Sequence, residues 1–160
     1  MSTLDEAIQI AAAAHAGVLD KQGAPYILHP LRVMLGVEGE TAQIVAVLHD
    51  VVEDTDVSFD DIQLAGFSDD VVDALRLVTH ASDVSYADYV VACQANPIAR
   101  AVKISDLRDN SRLERLLMRP DQLGRDAARI QRYALSYSFL SGQIDEATYR
   151  QGMDVQPSPD

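Results

Sequence analysis

The chain is poor in several things at once. Its 160 residues hold one cysteine, no tryptophan, and 13 basic residues against 25 acidic ones. A lone cysteine, Cys93, forms no intramolecular disulfide, so the fold stands on burial and a reducing compartment suits it. No apolar run approaches the roughly 20 residues that a membrane-spanning helix needs. The opening "AIQIAAAAHAG" is too short and too amphipathic for a signal peptide. A formal net charge of −12 argues against a general nucleic-acid binder, which needs clustered Lys and Arg to neutralise phosphate. There is no Gly-rich phosphate loop, serine nucleophile elbow, Cys-x-x-Cys pair, repeat or low-complexity tract. These absences lead to the expectation of a soluble, cytoplasmic protein whose partner is neither nucleic acid nor membrane. They leave its oligomeric state open.

What is present is helix. With 48% hydrophobic residues, the length suits one domain around a single core. Thr3 and Glu6 form a capping-box pattern that opens a helix to about His15. "GVLDKQGAPY" reads as a loop, and Pro30, at a first helical position, starts "HPLRVMLGV", which stops near Gly39. A third helix is expected from about Glu40 to Glu53. Ser58, Ser68 and Ser85 are caps for three more, and Asn96-Pro97 and Arg119-Pro120 break the chain before two long ones. No run alternates with period two between turns, so the expected fold class is all-α, an irregular helical bundle in a single domain. Residues 1–142 form that domain, and 143–160 a C-terminal tail with one short helix and a frayed, partly disordered end.

The charge is uneven. Nine of the 13 basic residues fall between Arg100 and Arg132 among five acids, so that stretch is +4 while the rest is −16. Most of these arginines suit solvated helix faces. A few can line a pocket for a small, strongly anionic ligand.

The chemistry concentrates in "AVLHDVVEDT", residues 46–55. His49 and Asp50 sit side by side in apolar surroundings, where an unpaired carboxylate is costly and is normally paired, protonated or metal-bound. His29 stands where a loop becomes a helix, and Asp106 lies in the apolar "AVKISDL". Two imidazoles and two carboxylates make a borderline N/O set that suits Mn, Fe, Co, Ni or Zn better than Ca. Taken singly, each has a bland account: a helix cap, a satisfied core histidine, an aspartate paired with Lys103 or an arginine. Taken together with Glu53 and Asp54, the metal site is the stronger one. Each of those acids falls four residues after a candidate ligand, where a carboxylate can take a proton from a metal-bound water. Acids at a helix C-terminus also oppose the macrodipole, and a bound cation would compensate them.

"HP" at 29–30, "LHDVVEDT" at 48–55 and "VKISDLRDN" at 102–110 resemble the HD superfamily of metal-dependent phosphohydrolases. "AHAGVLDKQGAPYILHP" is similar to the hydrolase domain of RelA/SpoT homologues and small alarmone hydrolases. The resemblance runs from about Leu4 to Leu140. It implies an HD-type helical fold with one Mn ion held by His29, His49, Asp50 and Asp106, and assigns water activation to Glu53 and Asp54. It makes Lys21, Asn110, Arg129 and Tyr133 nucleotide contacts, the last two in "RIQRY". The implied reaction removes the 3′-pyrophosphate of guanosine tetra- and pentaphosphate. The chain leaves no room for the synthetase and regulatory domains of long RelA/SpoT proteins, so alarmone synthesis is not expected.

The chain departs from the family pattern in three places. Val18 replaces a glutamine, and Asp20 replaces an arginine that packs on the purine. An acid cannot stack as a guanidinium does, and it repels phosphate. In "SDLRDN", Arg108 lies one position further from the aspartate than the family's arginine does. The machinery is therefore expected to serve ppGpp, with two alternatives. One is another phosphorylated nucleotide, such as a ppApp-like alarmone, a nucleotide monophosphate or NADPH. The other is a non-catalytic nucleotide- or metal-binding module, disfavoured because a mere binder does not need the Glu53–Asp54 pair. His15 reads as packed near the site, His80 as without a partner pattern, Cys93 as inert core, and Tyr86 and Tyr89 as packing.

Overall fold

A computed structural model describes residues 2–154, so the end of the expected tail, 155–160, lies outside the described residues. Those residues are all-α and contain no strand, with a single isolated bridge joining Leu19 and Pro25. None of their helices is long and apolar enough to cross a membrane. The chain divides into two compact units, one ending at Asp106 and the other beginning at Leu107.

In the first unit, α1 (Leu4–Ala14), α2 (Leu28–Leu35) and α6 (Asp69–Val78) pack against α3 (Glu40–Leu48). That placement follows from composition. From Ile44 to Leu48 every residue of α3 is buried, and a helix apolar on all sides has to be central. The α1 capping box forms: Thr3 N donates to Glu6 Oε2 at 2.7 Å, and Glu6 N to Thr3 Oγ1 at 3.4 Å. Its inner face is Ala7 and Ala11, whose small side chains allow close approach to the core. The amphipathic α6 buries Val71, Val72, Ala74, Leu75 and Val78 and turns Asp69, Asp70 and Asp73 outward.

Ser58 with Asp61 caps α5 (Phe59–Leu64), and Ser85 caps α7 (Tyr86–Gln94) through Asp88 N. Ser68 precedes α6 without a side-chain cap bond. Tyr89 Oη donates to Val78 O at 2.7 Å and Cys93 Sγ to Leu77 O at 3.2 Å, which staples α7 to α6. Cys93 is buried core, its thiol pushed up to about 11 by burial. Asn96 Oδ1 accepts from Ile98 N and Ala99 N and so opens α8 (Pro97–Asn110).

Three boundaries differ from the sequence reading. First, α2 begins at Leu28, so Pro30 is its third residue and His29 lies inside the first turn. First-turn amides have no intrahelical partner, so proline is tolerated there. Second, α2 ends at Leu35, before Gly36, well short of Gly39. A Cβ on Gly36 would collide with Ser105 Oγ of α8, which itself donates to Val33 O at 2.8 Å. Third, the helix expected over 40–53 breaks at His49-Asp50, leaving α3 and a single turn, α4 (Val51–Asp54). His49 Nδ1 donates to Ala46 O at 2.7 Å, the carbonyl that an unbroken helix would give to the Asp50 amide.

The second unit holds a 3-10 turn (Leu113–Arg115), α9 (Leu123–Leu140) and α10 (Glu146–Asp154). Buried Tyr149 of α10 stacks on Phe139 of α9, with centroids 4.9 Å apart, so Glu146–Asp154, which the sequence reading gave to the tail, is packed helix. Asp126, fully buried, accepts from Arg119 N, Nε and Nη2 and from Arg129 Nη2.

Candidate metal and active site

Three segments of the first unit deliver the four candidate ligands: the first turn of α2 (His29), the α3–α4 break (His49, Asp50) and α8 (Asp106). His29 Nε2 lies 3.4 Å from Asp50 Oδ2 and 3.3 Å from Asp106 Oδ1. His49 Nε2 lies 3.1 Å from Asp50 Oδ1 and 3.7 Å from Asp106 Oδ1. The two imidazoles meet edge to face with centroids 5.2 Å apart, and His29, His49 and Asp106 are buried. The break in the helix is what makes this possible. Neighbouring side chains of a regular helix diverge by about 100°, whereas here His49 and Asp50 converge.

Whether a cation fits is answered by His49. A carbonyl only accepts, so the 2.7 Å contact from Nδ1 to Ala46 O fixes the ring proton on Nδ1. In the neutral ring Nε2 is then a bare lone pair, buried and without a hydrogen-bond partner among the described residues, and it faces two carboxylates. Acceptors converging on acceptors in a dry pocket need a positive charge between them. The pKa directions carry the same demand. Without a cation a proton on Nε2 meets that demand: burial alone would push His49 down, but the Asp50 carboxylate outweighs it and holds His49 well above its ordinary value. Burial would raise Asp50 and Asp106, yet His49 beside the first and Lys103 beside the second hold both well below the carboxylate range. The set of two imidazoles and two carboxylates therefore fits a divalent cation.

A second pair of acids lies at the rim. Glu53 Oε2 accepts the His80 amide at 2.9 Å, and Asp54 Oδ2 lies 3.4 Å from the Tyr26 hydroxyl. Both are solvent-exposed residues of α4, and partial burial of the carboxyls raises both pKa values, with the Asp50 charge adding to the effect. Together with Ala14, His15, Val18, Tyr26, Thr55 and Asp56 they line an open cleft of about 680 Å³.

No family model matches the chain. It is 31% identical over 145 residues to the GTP pyrophosphokinase of Streptomyces coelicolor, a match covering 82% of this chain and 17% of that protein. It is 32% identical over 120 residues to the guanosine-3′,5′-bis(diphosphate) 3′-pyrophosphohydrolase of Aquifex aeolicus, covering 67% and 17%. The chain thus spans about a sixth of the length of these two long relatives. Against the guanosine-3′,5′-bis(diphosphate) 3′-pyrophosphohydrolase MESH1 of Danio rerio it is 31% identical over 148 residues, covering 82% of this chain and 78% of that one. This chain belongs to the MESH1 family. A solved structure of a metazoan orthologue of SpoT, described as hydrolysing ppGpp, superposes on it with a TM-score of 0.62. The sequence identity is 26%, over 96% of this chain and 93% of that one.

The other residues expected from the family pattern fall in both units. Lys21 is exposed on the loop after α1. In the second unit, Asn110 ends α8, Arg129 is paired with Asp126 at 3.1 Å, and Tyr133 is half-buried one turn further along α9. Asp20 neither projects into solvent nor stands free. Its Oδ1 accepts from Gln22 N and Ala24 N, both at 2.9 Å, and so builds the loop.

Four residues around the site carry more than the sequence revealed. Tyr26 Oη donates to Asp50 Oδ2 at 2.7 Å, and its ring contacts His15, whose Nε2 is buried without a hydrogen-bond partner among the described residues. Lys103 donates to Asp106 Oδ2 at 2.8 Å, the pairing the sequence offered as the bland account of Asp106, and what the sequence did not show is how deeply the lysine is buried. His80 holds Glu53 through its backbone, which no side-chain pattern announces. Tyr26 and Lys103 each stand three residues before a ligand, His29 and Asp106, and that spacing was the available signal.

Proposed function

We propose that the chain is a metal-dependent hydrolase that removes the 3′-pyrophosphate of guanosine tetra- and pentaphosphate. One observation carries the reading: two imidazoles and two carboxylates face one point beside a pair of acids whose pKa values are raised. The names of the relatives, from the Aquifex enzyme to MESH1, support the substrate. His29, His49, Asp50 and Asp106 would hold the cation, with Mn as the working ion. Bound there, it supplies Lewis-acid polarisation of a phosphoryl oxygen and lowers the pKa of water. Glu53 and Asp54 orient the attacking water and take its proton, a role that suits carboxylates raised towards neutrality. The new P–O bond forms to the water oxygen as the bond from phosphorus to the ribose O3′ breaks, so ppGpp and water give GDP and pyrophosphate. Lys21, Asn110, Arg129 and Tyr133 are assigned as contacts to the nucleotide. The active module is assigned to residues 1–142.

The experiment is a metal analysis of the purified protein, followed by ppGpp turnover with Mn²⁺ and after chelation. Release of GDP and pyrophosphate that disappears with the metal is expected. A protein that binds no divalent ion, or binds it and turns over no phosphorylated nucleotide, overturns the reading. One observation keeps a second substrate in view. The family's purine-packing arginine is here Asp20, so ppApp, nucleoside monophosphates and NADPH belong in the same assay.

A further inference from the structure

Lys103 is the most unusual residue of the first unit: a lysine with 8% of its surface exposed, on a helix that also buries Ala99, Val102 and Leu107. Lysines are almost never this buried unless paired. Its ammonium donates to Asp106 Oδ2 at 2.8 Å and lies over two aromatic faces, 4.9 Å from the Tyr89 centroid and 5.8 Å from that of Tyr86. Tyr89 is itself fixed, its hydroxyl bonded to Val78 O and its ring stacked on His80 at 4.7 Å. The ammonium therefore sits in an aromatic box that favours a cation and leaves it one strong acceptor. On Asp106 the two oxygens are sorted: Oδ2 goes to Lys103, while Oδ1 faces His29 and His49 at 3.3 and 3.7 Å.

We propose that Lys103 is a positioning residue that makes Asp106 a one-oxygen ligand. By holding Oδ2 away from the imidazoles, it prevents the carboxylate from closing on the cation with both oxygens, and keeps room there for water and a phosphoryl oxygen. A partner whose only role was to neutralise charge would not need to engage one particular oxygen. The aromatic box gives the ammonium its fixed position. The proposal rests on the metal-hydrolase reading above.

The test compares the wild type with Lys103→Met. Titration with Co²⁺ is followed by calorimetry and by visible absorption, whose intensity falls as coordination number rises, and ppGpp turnover is measured with Mn²⁺. Expected for Lys103→Met are one bound Co²⁺ held at least as tightly as in the wild type, weaker visible absorption, and kcat lower by about 10- to 100-fold, the usual range for losing a partner of a metal ligand. KM should be nearly unchanged, and Lys103→Arg, which restores a cation, should recover part of the kcat. A spectrum and kcat equal to wild type overturn the proposal. So does weakened Co²⁺ binding with kcat restored at saturating metal, which marks a merely structural role. If the Met variant does not fold, Lys103→Gln carries the same measurements. Failure of the underlying reading is distinct, because then the wild type itself binds no metal or hydrolyses nothing.

Discussion

The floor and the rim of the site hold two carboxylates each, and their chemistry runs in opposite directions. On the floor, Asp50 and Asp106 are surrounded by His29, His49, Lys103 and the Tyr26 hydroxyl, and their pKa values are driven down. At the rim, Glu53 and Asp54 meet one backbone amide and one shared hydroxyl, and partial burial drives theirs up. Carboxylates whose environments push their pKa values apart take different roles. In the proposed function the carboxylates held low would hold the cation, and those raised would take the proton from water. The difference comes from the surroundings, since Asp50 and Asp54 are the same side chain four residues apart.

The largest effect should come from breaking the floor. Asp50→Ala removes an oxygen donor that both imidazoles face, so it is expected to lose the metal and, with it, all measurable turnover. Metal content after dialysis and ppGpp hydrolysis check this. A variant that retains stoichiometric metal shows that Asp50 belongs with the rim. Breaking the rim gives the opposite split. Glu53→Gln is expected to keep the metal and lose about 10²- to 10⁴-fold in kcat, the range for a missing general base.

Two consequences of the raised rim carboxyls sharpen the contrast. A base must be deprotonated to act, so kcat rises with pH through a value above the ordinary glutamate range of about 4.3, and the acid limb of the profile is displaced upward. In the metal-free protein the sign for stability is the reverse. A carboxyl whose folded pKa is raised costs stability once pH exceeds its unfolded value, and that loss is complete above its folded value. Glu53→Gln should therefore raise the Tm of the metal-free protein at pH 7 and leave it unchanged at low pH. A Tm that falls at pH 7 sinks the assignment of Glu53 to the strained side of the comparison.

A smaller effect is expected where the floor is assembled. Gly36 lets α2 lie against Ser105 one residue before Asp106, and a methyl group there meets Ser105 Oγ. Gly36→Ala should cost about 1–3 kcal/mol, as overpacking of a close contact does, and weaken metal binding by moving His29 relative to Asp106. Gly36→Ala with Ser105→Gly should recover both, measured by denaturant unfolding and metal titration.

The same division marks how far the sequence could be read. The floor was legible because burying His49, Asp50 and Asp106 among valines and leucines leaves few physical options, and cap residues such as Thr3, Ser58 and Ser85 placed the helices around them. The break at His49-Asp50 was not legible. Its cause is a side-chain bond to Ala46 O, which competes with a helix that every local propensity favours. The partners of the rim were hidden for a related reason. The backbone amide of His80 reaches Glu53 across 27 positions, and backbone donors leave no trace in residue identity. Tyr86 and Tyr89 read correctly as packing, yet part of what they pack on is the Lys103 ammonium. The segment 113–120 was harder to read, because Leu113 stays exposed while Leu116 and Leu117 are half-buried, so its leucines mark no single face.

The smallest effect concerns Asp20, where charge and architecture have to be separated. The sequence places an acid where the family has an arginine, and the structure shows that its Oδ1 takes two loop amides, from Gln22 and Ala24. Restoring the family residue by Asp20→Arg therefore changes two things: it adds a guanidinium and it removes the acceptor on which the loop closes. Each lost hydrogen bond is worth about 0.5–1.5 kcal/mol, enough to open the loop and offset a gain in base stacking. Asp20→Asn separates the two, because its amide oxygen keeps both bonds while the charge disappears. Repulsion between unit charges in water is about 1 kcal/mol at 4 Å and weaker at longer range in salt. The Asn variant is thus expected to lower the KM for ppGpp by about two- to fivefold, with kcat unchanged, because the interaction is the same in ground and transition states. Hydrogen exchange at the Gln22 and Ala24 amides should match wild type in Asp20→Asn and accelerate in Asp20→Arg. An unchanged KM in the Asn variant means that the Asp20 charge never meets the nucleotide. Undisturbed exchange in the Arg variant means that the loop closes without the carboxylate.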